Sequence, residues 1–450
     1  MHRRIAITGL GVVSPFGVGM SSLWDGLCSG VSAVARITRF DPSAFECRLA
    51  GEIKDFSAKD HVPKHYRKAV KVMSRDIELA VAAAKCAVED AGLVTRASLG
   101  EEGQGATSYP AGRVGCHIGA GLVAAEIDEL TSALVTATEP GGEAGKFSYT
   151  RWGETGLNNL QPLWMLKYLP NMLACHVTII HGAEGPSNTI TCAEASGLLS
   201  VGESCRVIER DAADMCFSGS AESKVNPMGL VRMLLAGRLG STGDAASGPG
   251  ACMPFDPASV GVAGEAGGIV ALEALDTAKA RGATIMAEVI GFGAAHSGWP
   301  PYTPAQAREG VRARQDRGLT FAIQRAISDA GITPEDIDAV VPQGSGSRLE
   351  DEGEAGTLRL IFGQRLASIP LVLLCPAIGN SFAGTGGVMV AVAAQALAKQ
   401  QLPARLQGGN PDTGLLAGPS PGGPTTLRHI LVCGSSTGGQ NAALVLRAPQ

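Results

Sequence analysis

The sequence predicts an α/β protein in which helices cover both faces of a buried sheet. Three observations lead to this prediction: strand-like and helix-like segments alternate in both halves of the 450-residue chain, 45% of the residues are hydrophobic, and the 60 glycines recur in small clusters. Alternating strands and helices are typical of three-layer α/β folds. Clustered glycines without a period indicate tight turns between strands and helices, not collagen or low complexity.

The first half of the chain has two especially clear elements. An apolar run at residues 4–8 ends at Gly9 and predicts a buried strand. Residues 75–91 predict an amphipathic helix that Gly92 stops, with one apolar face made of Ile77, Ala80, Val81, Ala84 and Val88. The other predicted elements are helices at 22–28, 171–180 and 195–210 and strands at 113–121 and 215–220.

The second half repeats the alternation from residue 287 onward. Its predicted elements are strands near residue 289 and at 339–341, 429–432 and 442–446, and helices at 319–330, 352–362 and 386–399. Segments rich in glycine, proline and polar residues predict loops at 100–112, 138–145 and 408–424. A duplication of two α/β halves is compatible with this order, although the residues alone do not establish it.

Charge argues against a nucleic-acid or anionic-membrane partner, because the formal net charge is −5 and basic residues are scattered. The exception, called here the basic run, consists of Lys64, His65, Arg67, Lys68 and Lys71. We interpret it as a solvated helix face. The alternative is a docking patch for an acidic carrier protein.

The cysteines give no sign of a metal, a cofactor or a disulfide framework. There are 11, an odd number, with no CxxC pair and no Cys/His cluster. A reducing cytoplasm fits this usage. We expect no membrane span, because no apolar run reaches the ~18 residues required. A signal peptide is the weaker interpretation of the N-terminus, since Gly9, Gly11 and Pro15 interrupt its apolar stretch.

Four segments share a glycine frame with one known family. They are GPSNTITCAEASG (185–197), QGSGSRLEDEGE (343–354), CPAIGNSFAGTGG (375–387) and CGSSTGGQNAALVL (433–446). In order and spacing they resemble the β-ketoacyl-acyl-carrier-protein synthases, or ketosynthases. That family reads TACASG, HGTGT, KxxxGHxxGAAG and SFGFGGTN at these places. Residues 7–17, 37–45, 169–187 and 254–268 extend the resemblance over almost the whole chain.

The resemblance implies a thiolase-like fold. Two similar αβαβα halves, here residues 1–253 and 254–450, would form a five-layered α-β-α-β-α arrangement. Members of the family usually form two-fold dimers, and residues 169–187 resemble the segment that lies in the dimer interface.

The residues that carry the family's chemistry are missing. Glu194 occupies the cysteine position, Gln343 and Asn380 occupy the two histidine positions, and Cys375 occupies the lysine position. A carboxylate suits a helix N-terminus but cannot hold an acyl group as a stable thioester. Neutral amides can donate hydrogen bonds to an oxyanion, yet cannot act as acid or base near neutral pH.

Other positions of the family's site can also be placed. The acidic positions survive as Asp351 and Glu354, and without the lysine we expect Glu354 to serve local packing and hydrogen bonding. In the last segment Thr437, followed by Gly438 and Gly439, takes the place of a phenylalanine that gates the acyl pocket. We predict these three residues to be substrate-binding. Cys192 would become a nucleophile only if the alignment shifted by two residues.

Two functions follow from the resemblance. The first is a non-condensing partner subunit, similar to the chain-length factors of polyketide synthases, that pairs with an active ketosynthase of fatty acid or polyketide biosynthesis and works with acyl carrier protein. A homodimer is the other assembly. The second is an acyl-transfer enzyme, such as a malonyl-carrier-protein decarboxylase or an atypical 3-oxoacyl synthase, that uses Glu194, Gln343 and Asn380. These three residues are alternatively a structural network, in which two amides hold a buried carboxylate.

Overall fold

A computed structural model of the chain describes residues 3–99, 105–139, 145–244, 250–297, 316–406 and 414–449. The first elements are β1 (Ile5–Ser14), β2 (Gly17–Val18), α1 (Met20–Cys28), β3 (Val34–Arg36), β4 (Leu49–Gly51), α2 (Arg75–Asp90) and β5 (Val114–Gly119). They are followed by α3 (Ile127–Thr136), β6 (Thr138–Glu139), β7 (Lys146–Phe147), α4 (Tyr149–Glu154), α5 (Met172–His181), β8 (Ser187–Ile190), α6 (Ser196–Glu209), β9 (Met215–Ser223) and α7 (Pro227–Leu235).

The remaining elements alternate in the same way. They are β10 (Ala263–Ala274), α8 (Leu275–Ala280), β11 (Ala287–His296), α9 (Arg317–Asp329), β12 (Ala339–Val341), α10 (Arg348–Phe362), α11 (Cys375–Ile378), α12 (Thr385–Lys399), β13 (Gln401–Leu402), β14 (Gly423–Pro424), β15 (His429–Ser435) and β16 (Gln440–Arg447). The predicted helices and strands are therefore confirmed, most of them with ends shifted by a few residues. The exception is β1, which runs through Gly9 to Ser14, so the turn predicted at Gly9 is wrong. The predicted loops at 100–112, 138–145 and 408–424 lie partly outside the described residues.

The strands form one mixed sheet whose two sides repeat the same pattern. From the middle outward, the N-terminal side runs β1, β10, β9, β5, β8, and the C-terminal side runs β11, β16, β15, β12. On both sides the first three strands pair antiparallel and the fourth joins in parallel. The sides meet where β1 pairs with β11. This repetition shows the duplication that the sequence only allowed.

Helices complete five layers around the two sides of the sheet. α6 and α12 each contact strands of both sides and form the middle layer. α2 and α5 cover the outer face of the N-terminal side, and α9 covers the outer face of the C-terminal side. The α-β-α-β-α arrangement predicted from the resemblance is thus confirmed.

Glycines let the outer helices approach the sheet at equivalent places on the two sides. The register of β1 shifts between Ile7 and Gly9, and that of β11 between Val289 and Gly291. A Cβ atom at Gly9 would lie 2.3 Å from a carbonyl oxygen of α2, and one at Gly291 would lie 2.2 Å from a carbonyl oxygen of α9. No larger side chain fits without moving a helix.

The middle helix is long and apolar. The stretch Phe382–Lys399, which includes α12, has the length and composition of a membrane span, contrary to the expectation that no run reaches 18 residues. Of its 18-residue window, 89% is buried inside the fold. Sheets of this chain therefore already cover its apolar surface.

The division of the chain at residues 253 and 254 stays a prediction. β10 follows that point in the sequence but lies between β1 and β9, so it completes the N-terminal side of the sheet. The chain therefore returns to its N-terminal strands after residue 254.

Candidate functional site

A cleft of about 500 Å³ opens beside the N-terminus of α6. Three of the four glycine-framed segments reach it, through Glu194, Phe382 and Thr437. Most of its surface is apolar, and the charged side chains are confined to a few positions. The lining residues are Gly121, Leu122, Pro170, Thr191, Ala193, Glu194, Glu222, Lys224, Arg232, Met233, Ala236, Arg238, Phe382 and Thr437.

Glu194 lies on a tight turn that leads into a buried helix. The 3-10 turn Ala193–Ala195 runs directly into α6, and Ala193 has a φ of 46°. A non-glycine residue adopts this left-handed conformation at an energetic cost, so the turn is held by its surroundings. The side chain of Glu194 is only 3% exposed and faces the cleft, at the position that the resemblance gives to the nucleophile.

A buried arginine joins Glu194 to a second carboxylate, and we call Glu194, Arg238 and Glu350 the Glu–Arg–Glu cluster. Nη1 of Arg238 donates a hydrogen bond to Glu194. Nε and Nη2 of Arg238 donate to the two oxygens of Glu350 at 2.7 and 3.0 Å. The guanidinium carbon also lies 5.0 Å from the ring centre of Phe382. Such two-pronged contacts hold a guanidinium in one orientation.

The charged groups of this cluster shift one another's pKa values. Burial raises the pKa of Glu194, the Arg238 cation opposes that rise, and the nearby Glu350 adds to it. Burial alone would lower the pKa of Arg238, but the two carboxylates outweigh it and raise the pKa, so this guanidinium stays charged. Oε2 of Glu194 is buried and has no hydrogen-bond partner among the described residues.

The sequence analysis missed both partners of Glu194. Arg238 follows α7 in the apolar stretch LLAGRLG, where a single arginine is a weak signal of a buried ion pair. Glu350 carries no local signal, because its contact with Arg238 spans 112 residues of sequence. Only the fold brings these groups together.

Gln343 is occupied by backbone contacts. Its Oε1 accepts a hydrogen bond from the amide of Ser435 at 2.9 Å. Its backbone amide and that of Gly344 donate to the two oxygens of Glu354, both at 2.9 Å. Burial raises the pKa of Glu354 to about 8, although these two amides favour its charged form. The expected local role of Glu354 is confirmed.

Asn380 is likewise engaged with its own segment. Its Oδ1 accepts hydrogen bonds from the backbone amide of Phe382 at 2.8 Å and from Oγ1 of Thr385 at 3.3 Å. This cap shapes the turn that enters α12, with Phe382 at a φ of 51°. Neither Asn380 nor Gln343 lines the cleft among the residues described.

The hypothesis that Glu194, Gln343 and Asn380 form one structural network is wrong. Each of the three has other partners: Glu194 binds Arg238, while the two amide oxygens bind backbone amides. The physical reason is electrostatic, since a buried carboxylate is stabilised far more by a guanidinium than by a neutral amide.

The remaining predicted positions fall into two groups. Thr437 lines the cleft, and Gly438 and Gly439 complete its turn, in which the amide of Gly439 donates to the carbonyl of Ser436 at 2.9 Å. Cys375 is fully buried, and its sulfur lies 3.9 Å from the carbonyl oxygen of Gln343. A thiol there cannot supply the positive charge of a lysine.

Cys192 is poorly placed to replace the missing nucleophile. Its sulfur is not part of the cleft lining among the residues described, and its backbone amide donates to Oγ of Ser196 at 2.8 Å. Burial raises the pKa of its thiol, so the reactive thiolate is disfavoured. The unshifted alignment, with Glu194 at the nucleophile position, agrees with this geometry.

Two further cations line the cleft. Nζ of buried Lys224 is bound by Glu222 and by the carbonyl of Leu122, the latter at 2.7 Å. Arg232, on α7, differs: its Nη1 is buried and has no hydrogen-bond partner in the described part of the chain. The cleft therefore contains two cations that are paired with carboxylates, Lys224 and Arg238, and a third, Arg232, that has a nitrogen without a partner among the described residues.

This arrangement can bind and orient a ligand, and the positions that the resemblance gives to the catalytic groups hold other residues. The nucleophile position holds a carboxylate engaged in an ion pair, and neither histidine position holds a titratable group. Among the described residues, no group of three His, Cys, Asp or Glu side chains could hold a metal ion.

The duplicated five-layer fold and the position of the cleft define a thiolase-like protein of the ketosynthase type. The chain belongs to the β-ketoacyl synthase family, because the model of that family's N-terminal domain matches residues 2–278 and that of its C-terminal domain matches residues 286–408.

Relatives match along the whole chain. The 3-oxoacyl-[acyl-carrier-protein] synthase 2 of Staphylococcus aureus strain COL is 27% identical over 449 residues, 99% of this chain and 98% of the relative. A putative polyketide β-ketoacyl synthase 1 of Streptomyces halstedii is 30% identical over 457 residues, 100% of this chain and 99% of that protein.

Solved structures show the same fold. The ishigamide ketosynthase/chain length factor has a TM-score of 0.80 and 25% identity, with full coverage of both chains. A β-ketoacyl synthase from Burkholderia phymatum STM815 has a TM-score of 0.79 at 21% identity, again with full coverage of both chains.

Proposed function

We propose that this chain is a non-condensing subunit that pairs with an active ketosynthase and helps to shape the pocket for a growing acyl chain. The observation that carries the proposal is the Glu–Arg–Glu cluster. At the place of the nucleophile, Glu194 forms an ion pair with Arg238, which a second carboxylate, Glu350, holds from the other side. A side chain bound in this way contributes to a fixed wall of the cleft.

The edge of the sheet supports a partner subunit. β8 is the outermost strand of the N-terminal side and pairs only with β5 among the strands described. Ser187 and Asn188 are exposed, and the amide of Thr189 donates to the side chain of Asn188 at 2.8 Å instead of to a strand. An open edge of this kind is suited to pairing with a second chain.

Exposed apolar side chains support it as well. Of the 17 large hydrophobic residues exposed in the described part of the chain, ten lie between residues 122 and 179. This segment leads through α5 into β8. The most exposed are Leu122, Val135, Tyr149, Leu163 and Met165, at 64 to 86%. Apolar surface concentrated next to an open edge fits a protein interface.

Acyl carrier protein is the second partner that we propose. The four lysine and arginine residues and the histidine of the basic run are all exposed, and Lys64, Lys68 and Lys71 make no ion pair within the described chain. A cationic surface of this kind suits an acidic carrier protein. One structural neighbour, the ishigamide ketosynthase/chain length factor, supports pairing of the proposed type.

The test measures carbon dioxide release and acyl elongation with malonyl-carrier protein. The purified chain is assayed alone and together with a ketosynthase from the same source that has the Cys-His-His set. We expect no turnover by the chain alone and a changed product length in the mixture. Unchanged products in a mixture that forms no complex would contradict the proposal. A ketosynthase with its cysteine replaced by alanine is the control for elongation.

The second candidate is a malonyl-carrier-protein decarboxylase or related acyl-transfer enzyme. One observation favours it: Glu194 lines the cleft and has an oxygen without a hydrogen-bond partner among the described residues, and burial raises the pKa of this carboxyl. Carbon dioxide release by the pure chain, abolished in Glu194→Ala, would establish it and would contradict the partner-subunit proposal.

A further inference from the structure

Two side chains that line the apolar cleft each have a buried polar atom without a hydrogen-bond partner among the described residues. Oε2 of Glu194 and Nη1 of Arg232 are both buried and unpaired within the described residues, and both side chains line the cleft. Glu194 is 3% exposed, and Arg232 is half-buried. Leaving such atoms unpaired is unfavourable.

The other charged groups of the cleft cannot supply these partners. Lys224 is bound by Glu222 and a backbone carbonyl, and Arg238 is bound by Glu194 and Glu350. The unpartnered atoms differ in character. Oε1 of Glu194 is bound by Arg238, so Oε2 is free to accept a hydrogen bond. Nη1 of Arg232 can only donate one.

A plain hydrocarbon chain satisfies neither atom, whereas an oxygenated chain can satisfy both. A hydroxyl group donates to Glu194, and a carbonyl oxygen accepts from Arg232. Both groups occur in a 3-hydroxyacyl thioester. A 3-oxoacyl chain offers acceptors only, and a saturated acyl chain offers nothing beyond its thioester carbonyl.

We propose that the cleft selects oxygenated acyl chains of the 3-hydroxyacyl class over saturated acyl chains, with Glu194 and Arg232 as the residues that determine this specificity. The inference rests on the proposed function only in taking an acyl chain as the occupant. It adds the chemical class of that chain.

The experiment measures dissociation constants by titration calorimetry for three N-acetylcysteamine thioesters of equal length: decanoyl, 3-oxodecanoyl and 3-hydroxydecanoyl. They are titrated into the full chain alone and into its complex with a ketosynthase. Because hydrogen bonds to charged groups contribute about 1.5–3 kcal/mol, we expect the 3-hydroxy compound to bind at least about tenfold more tightly than decanoyl. The 3-oxo compound should lie between them.

Variants assign the preference to its residues. Arg232→Met keeps the length of the side chain and should remove the advantage of the 3-oxo compound over decanoyl, while Arg232→Lys should restore part of it. Leu235→Met, on the exposed side of the same helix, is the matched control and should leave all three constants unchanged.

Equal affinity for the three thioesters, binding of none of them, or a 3-oxodecanoyl-to-decanoyl ratio that survives Arg232→Met would overturn the inference. Its failure is distinguishable from failure of the proposed function, because complex formation with the ketosynthase is scored separately by size-exclusion chromatography with light scattering. A complex that forms but shows no preference overturns the inference and leaves the subunit proposal standing.

Discussion

The two sides of the sheet repeat one pattern but end differently. On the C-terminal side, Leu371 forms an isolated β-bridge with Val340 of the edge strand β12. The adjacent Pro370 forms a second bridge with Leu416, so other segments of the same chain cover this edge. Buried Arg405 donates to the carbonyl of Leu371 at 3.0 Å and to that of Gly418 at 2.5 Å. On the N-terminal side, β8 ends the sheet with exposed Ser187 and Asn188.

This difference supports the proposal that a partner pairs at β8. A duplicated fold has two equivalent edges, and each edge strand presents unpaired backbone groups. Here the chain covers one edge with its own loops and an arginine. Among the described residues, the other edge is formed by a short polar strand that pairs only with β5.

The largest expected effect comes from blocking the open edge. The carbonyls of Pro186 and Ile190 accept hydrogen bonds from β5, so the amide of Thr189 points away from it. Thr189→Pro removes that outward donor without removing a β5 contact. We expect at least about a hundredfold weaker association with the partner subunit, measured by analytical ultracentrifugation.

Thr189→Val serves as the control, because it keeps the backbone amide and a β-branched side chain. It should associate like the unmodified chain. If Thr189→Pro assembles normally while remaining folded by circular dichroism, the open edge is not the interface.

The next effect compares two buried arginines. Arg238→Met leaves two buried carboxylates without a counter-charge, and we expect a loss of about 3–5 kcal/mol in the free energy of unfolding at pH 7. Arg405→Met removes only hydrogen bonds to carbonyls, with an expected loss of about 1–3 kcal/mol. Urea denaturation measures both. Equal losses would mean that the Glu–Arg–Glu cluster is not held by its charges.

A different kind of effect should appear as a pH dependence of stability. Burial raises the pKa of Asp351 from 3.8 to about 7 and that of Glu354 from 4.5 to about 8. Between the unfolded and folded values, the folded chain holds protons that the unfolded chain has released. The free energy of unfolding therefore falls as pH rises from about 4 to 7 through Asp351 and from about 5 to 8 through Glu354, by up to about 1.4 kcal/mol per pH unit for each group.

Glu354→Gln should remove the contribution of one titrating group from this slope. Thermal unfolding at a series of pH values measures the change. The matched control is Glu352→Gln, on the same helix but only half-buried and paired with Arg348. It should not alter the slope. A slope that is identical in all three proteins would show that Glu354 is ionised in the fold.

The smallest expected effect is that one substitution leaves elongation activity at zero. Glu194→Cys restores the thiol of the family but not its histidines, since Gln343 and Asn380 are neutral and bound to backbone amides. We expect no elongation in an assay with acyl- and malonyl-carrier protein. Measurable elongation would show that amides suffice at the histidine positions.

Much of the fold could be predicted from local patterns. The apolar periodicity of α2 and the glycine frames specified elements whose bounds the structure reproduces within a few residues. Glu354 was also foreseeable, because its contacts with Gln343 and Gly344 join positions only 11 and 10 residues apart.

The ion pairs of the site were not foreseeable in the same way. Arg238 meets Glu194 across 44 residues and Glu350 across 112 residues, and no pattern of spacing connects such positions. The open edge was only half predicted: the sequence indicated an interface segment at residues 169–187, but strand order decides that β8 is outermost. Side-chain identity predicts what a residue can do, and the fold decides what it meets.

The close approach of helix and strand at Gly9 and Gly291 affects which residues the family retains during evolution. These positions reject any side chain for reasons of space, whether or not the protein catalyses a reaction. Loss of the reactive residues therefore leaves the glycines under the same constraint. A family member without the reactive residues therefore remains recognisable by its glycines. Its relatives are better sought by glycine spacing than by cysteine and histidine.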